Sequence, residues 1–186
     1  MRTQIFLLVF LLSLVGARAA EFDLGARGML SVTVPDGWAV NGHAVKRPDG
    51  TALGYAMALK PHGDVNAKGL ITWIYTTNGA PDKASLRKDV LRVTGRFRSG
   101  AVEQKQELKD FALEQGYGCY CVFTDASLVG KPAQPGNYKV MASGEVQPAA
   151  DLLGVVSVFA DAADGPEWKA MLAMINSLKV KPPAAK

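Results

Sequence analysis

Two stretches limit what this chain can become. Gly69–Thr77 and Leu152–Ala160 carry large apolar side chains at both odd and even positions. Side chains of an extended strand alternate between faces, so a stretch apolar on both predicts a strand covered on both sides. The first is also rich in β-branched and aromatic residues, Ile71-Thr72-Trp73-Ile74-Tyr75, which favour a pleated surface. Both therefore predict central strands of a sheet.

Shorter strands surround them. Residues 29–34, Met-Leu-Ser-Val-Thr-Val, alternate apolar and hydroxyl side chains, and Pro35-Asp36-Gly37 supplies a tight turn. Trp38–Lys46 and Ala52–Lys60 follow, separated by a second Pro-Asp-Gly at residues 48–50, and read as an antiparallel meander. Val102–Leu108 alternates charged residues with Gln104 and Gln106 and reads as a polar edge strand. Gly116–Thr124 and Tyr138–Val146 complete the set, with a proline-rich loop, Leu128–Asn137, before the latter.

Two segments carry a helical period. After Asn78-Gly79-Ala80-Pro81, residues Leu86, Val90, Leu91, Val93 and Phe97 share one helical face, with Asp82 or Ser85 as the cap. Near the end, Asp164-Gly165-Pro166-Glu167 combines a cap, an early proline and a reach-back glutamate, and Trp168, Met171, Leu172, Ile175 and Leu178 line the buried face. Strands with one helix in the middle and one at the end predict an α+β fold: a mostly antiparallel β-sheet with helices packed on both faces, a three-layer sandwich.

The first residues have the layout of a cleavable signal peptide: Arg2, the apolar run Ile5–Leu12, and small residues through Ala20, with cleavage expected after Ala19. The expected organisation is a signal peptide over 1–19, one domain over 20–180 and a disordered tail over 181–186. No later stretch approaches the roughly 20 apolar residues that span a bilayer, so no membrane span is expected once the signal is removed. The 21 Lys and Arg against 17 Asp and Glu give a net charge of +4. Arg2 and Arg18 lie in the expected signal, which leaves the remainder nearly neutral. No dense basic cluster interleaved with aromatics occurs, so no nucleic-acid partner is expected.

Residues able to carry chemistry are few. Cys119 and Cys121, separated by Tyr120, leave the same face of their strand. In an oxidising compartment they are either small core residues or a thiol redox pair, since a bridge between strand positions two apart needs a local kink. The only histidines, His43 and His62, sit in or beside turn-rich segments without metal-ligand spacing, so no metal is expected. No nucleophile elbow, phosphate loop or dinucleotide fingerprint is present, and no cofactor is called for. The aromatics Trp38, Trp73, Tyr75, Tyr117, Tyr120 and Tyr138 either pack the core or line a ligand groove. The loop offers Leu128, Lys131, Gln134, Asn137 and Tyr138 as the candidate partner-binding surface.

The turn Val34-Pro35-Asp36-Gly37-Trp38, the helical segment Asp82–Phe97 and the ending Ile175-Asn176-Ser177-Leu178 give a pattern that resembles the sandwich family of the photosystem II extrinsic subunit PsbP, which also includes a Ran-binding import factor and the bacterial envelope protein DcrB. The resemblance implies a non-catalytic binding or assembly role. The expectation is an exported, periplasmic or secreted, non-enzymatic domain that binds a partner protein or envelope component through a sheet edge or the 128–137 loop. A thiol-redox protein using Cys119 and Cys121, and a small-molecule carrier with an aromatic-lined pocket, are the alternatives.

Overall fold

The computed structural model describes residues 16–76, 79 and 81–183. Within them the chain forms β1 (Ala17–Asp23), β2 (Met29–Pro35), β3 (Trp38–Lys46), β4 (Ala52–Pro61), β5 (Lys68–Tyr75), α1 (Lys83–Thr94), β6 (Lys109–Asp110), β7 (Tyr117–Thr124), β8 (Val140–Ala149), β9 (Leu152–Ala160), α2 (Pro166–Asn176) and β10 (Lys179–Lys181). Short 3₁₀ turns occupy Gly25–Arg27, Gly95–Gly100 and Ala126–Leu128. The apolar run Ile5–Leu12 of the expected signal, and the turn residues Asn78 and Ala80, lie outside the described residues.

Seven strands make one antiparallel sheet in the order β3-β4-β5-β9-β8-β7-β6, and β1, β2 and β10 make a second in the order β1-β2-β10. The two Pro-Asp-Gly segments turn as their chemistry requires, with Gly37 at φ +79° and Gly50 at φ +84°, a region where a Cβ is strained. The chain leaves the large sheet after β5, builds α1 and β6–β8, and returns with β9 against β5, where Ile71 faces Val156.

The expected α+β sandwich with helices on both faces is overturned: the described residues are mostly β, and their two helices, of 12 and 11 residues, are too few to layer either face. One side of the large sheet is covered by the second sheet together with α2. There Leu30, Val32 and Val34 of β2 and Trp168, Met171, Met174 and Ile175 of α2 join Met57, Leu59, Ile71, Trp73, Val156 and Val158 in the main core. On the other side α1 reaches only the β7–β8 end, where Leu86 and Val90 pack with Cys119, Cys121 and Phe123. Leu70 and Ile74 of β5 stay exposed, so this strand is covered on one side rather than two. The physical reason is recruitment of the ends. Ala17–Asp23, which spans the expected cleavage point, pairs with β2 from Ala17 opposite Pro35 to Asp23 opposite Met29. Lys179–Lys181, running into the expected tail, pairs with the other edge of β2. A strand so flanked joins its own sheet instead of extending the meander. Cleavage after Ala19 would leave Ala20–Asp23 of β1 paired with Val32–Met29.

Three local expectations also change. Val102–Leu108 is not a strand. Gln104 takes φ +50°, Glu103 folds back to accept from Thr124, and Gln106 donates to the Leu91 carbonyl at 2.5 Å and to Thr94 Oγ1 at 2.8 Å near the end of α1. α1 is capped by Asp82, whose side chain accepts from the Ser85 N–H at 2.7 Å, but Leu91 is exposed and Thr94 takes the buried place. α2 is capped by Gly165 rather than Asp164, and glycine has no side chain to make a cap bond; Pro166 in the first turn leaves one fewer backbone N–H without a partner. No helix among the described residues is long and apolar enough to cross a membrane.

Candidate functional site

The five loop residues singled out from sequence converge on one place. A groove of about 540 Å³ is lined by Leu128, Asn137 and Tyr138 of the loop, by Arg96 and Phe97 of the turn after α1, and by Phe123, Met141 and Phe159 of β7, β8 and β9. A smaller hollow of about 280 Å³, lined by Lys131, Gln134, Leu128, Asn137 and Lys139, adjoins it through the last three residues. The larger volume lies within the roughly 300–1,000 Å³ of small-molecule sites.

Strand register explains the floor. Phe123 pairs with Met141 across β7–β8, and Met141 with Phe159 across β8–β9, so the three side chains form one row on one face. Phe97 drops onto the row from the 3₁₀ turn, its ring 5.7 Å from that of Phe123 and tilted by 55°. Tyr138 closes the other end, 5.4 Å from the Phe159 ring and tilted by 40°.

The loop that walls the groove is held in place. Asn66 donates to the Asn137 carbonyl at 3.3 Å and to Asp161 at 2.9 Å, and accepts from the Gly136 N–H at 3.0 Å. Gln134 and Asn137 close the turn through backbone and side chains, and the Asp125 N–H donates to the Lys139 carbonyl at 2.8 Å. Asp125 spends its carboxylate on the Ser127 N–H at 2.8 Å. Arg96 stacks over Phe97 at 4.7 Å. Among the described residues, no carboxylate lies within ion-pair distance of Arg96, Lys131 or Lys139.

Cys119 and Cys121 lie elsewhere on the same face, buried under α1 as free thiols. Burial pushes Cys119 up to about 11, with Arg87 opposing and Asp110, Cys121 and Glu145 adding to the shift. Burial likewise raises Cys121. Thiols in such a setting are poor nucleophiles and pack as small apolar groups. Beside the apolar side chains of Leu86 and Val90, the layer around them also holds polar residues: Ser143, Glu145, Gln147 and Thr94 are all buried. Trp38, Trp73 and Tyr120 belong to the core, so of the buried or half-buried aromatics weighed from sequence only Tyr138 reaches the groove. Among the described residues no cluster of His, Cys, Asp and Glu is arranged to hold a metal ion.

Sequence reasoning missed Phe97, Phe123, Met141, Phe159, Arg96 and the anchoring Asn66. They come from separate segments, and only the register of β7–β9 and the helical break at Gly95 bring them together. No family model, curated protein or solved structure matches the chain.

Proposed function

We propose that this is an exported, non-enzymatic binding domain that takes an envelope component in the groove walled by the 125–139 loop. The observation that carries the reading is the convergence of Leu128, Lys131, Gln134, Asn137 and Tyr138 with four apolar residues of other elements on two adjoining hollows. A loop without function needs no apolar row beneath it, whereas a binding groove needs apolar area with a few polar groups at its rim. Export rests on Arg2, the apolar run Ile5–Leu12 and the small residues Ala17 and Ala19. The implied likeness to the PsbP family points to the same non-catalytic role.

The test is site-specific photocrosslinking in the exported fraction of the host. A crosslinker at Leu128 or Tyr138 is expected to give a discrete adduct that the same group at exposed His43 does not. Adducts of equal yield from all three positions, or from His43 alone, would sink the reading.

A further inference from the structure

The groove's own chemistry narrows its ligand. Its rings are tilted against each other by 55° and 40°, so they offer no parallel walls between which a planar ring could stack. The row between them includes Met141, an unbranched side chain that adapts to irregular shapes. An uneven apolar floor of this kind suits a flexible chain.

The rim adds a charge preference. Lys139 lines both hollows, Arg96 the larger and Lys131 the smaller, and none has an ion-pair partner among the described residues. Asp125, the one carboxylate on the lining, already accepts from Ser127. Glu103, on the far side of Thr124, accepts from that residue's N–H at 2.9 Å and hydroxyl at 2.7 Å. Cations beside an apolar row, with nearby carboxylates committed to other donors, complement an anion attached to an apolar body.

We infer that the ligand is a single-chain amphiphile with an anionic head, of the long-chain carboxylate class. Its chain lies over Phe97, Phe123, Met141 and Phe159, and its head meets Lys139 and Arg96. The inference rests on the reading of the groove as the binding site and deepens it. A membrane surface is the less favoured occupant, because Phe97, Phe123, Met141 and Phe159 are all buried or half-buried instead of standing exposed on a convex face.

The experiment is a titration of the full domain with dodecanoate, dodecanol, dodecyltrimethylammonium, phosphatidylglycerol vesicles and an acidic peptide, followed by amide chemical shifts and calorimetry. Saturable dodecanoate binding is expected, with shifts centred on Tyr138, Lys139, Met141 and Phe159. Dodecanol and the cationic amphiphile should bind at least about tenfold more weakly, and the Arg96→Gln/Lys139→Gln variant should lose about a hundredfold for dodecanoate alone, at about tenfold for each of the two charge-assisted contacts removed. Because both substitutions are at partly exposed positions, a matching melting temperature checks the fold, and single Lys139→Gln gives a second, milder variant. Equal binding of dodecanol in the groove would overturn the anionic head while keeping the groove. Preference for vesicles or for the acidic peptide in the same groove would overturn the ligand class. Dodecanoate shifts confined to other surfaces would overturn both the inference and the site. No binding of any probe overturns the inference and leaves the crosslinking result to judge the groove.

Discussion

Cys119 lies directly opposite Glu145 across the β7–β8 pairing, and both side chains are buried on the face that α1 covers. Glu145 Oε2 has no hydrogen-bond partner among the described residues. A carboxyl in that position makes the region under α1 sensitive to pH.

Burial, reinforced by Asp89 and opposed by Arg92, raises the Glu145 carboxyl above its ordinary value of 4.5. As pH climbs from the ordinary value toward the raised one, the unfolded chain gives up this proton before the folded chain does, so stability falls across that window. Glu145→Gln is therefore expected to melt higher than the parent at neutral pH, with the gap closing below the ordinary carboxylate range. Thermal melts of both proteins across pH check this, and a variant that melts lower at neutral pH would refute it.

The two thiols should be silent in the native state. Raising Cys119 from 9.0 to about 11 lowers its thiolate fraction about a hundredfold, before any loss of access is counted. Labelling with a thiol reagent under mildly alkaline conditions is expected to be slower than in denaturant by at least that factor. Fast labelling of both cysteines in folded protein would restore the redox pair as the functional centre.

Leu86 anchors α1 on the β7 side of the sheet and is fully buried, whereas Leu91 on the same helix is 37% exposed. Leu86→Ala should cost about 2–5 kcal/mol and Leu91→Ala within about 0.5 kcal/mol. Urea unfolding distinguishes them, and equal costs would mean that α1 is not docked by the Leu86 face.

Gly154 of β9 faces the main core, where an added Cβ would come within 2.6 Å of the Trp73 ring and 2.9 Å of Val146. Trp73 is 1% exposed and its Nε1 donates to Met57 Sδ at 2.9 Å, so the ring has little room to move. Gly154→Ala is expected to cost about 1–3 kcal/mol, measurable in the same urea series. An unchanged midpoint would show that the ring relaxes freely.

Short-range chemistry was legible wherever it acts within a few residues. Alternation at Met29–Val34 placed Leu30, Val32 and Val34 inside, Pro-Asp-Gly placed two turns, Asp82 placed a helix start, and proline with glycine placed the loop that walls the groove. Each depends on local backbone geometry or on the period of side chains along one element. The partnering of elements did not follow from such patterns. Apolarity on both faces of Leu152–Ala160 says that something covers each face, but not that a strand beginning at Ala17 and another ending at Lys181 flank β2, nor that α1 leaves β5 bare. The groove shows the same division. Its loop was readable because loops are local, and its floor was not, because Phe123, Met141 and Phe159 become neighbours only through a pairing register set by the whole buried face.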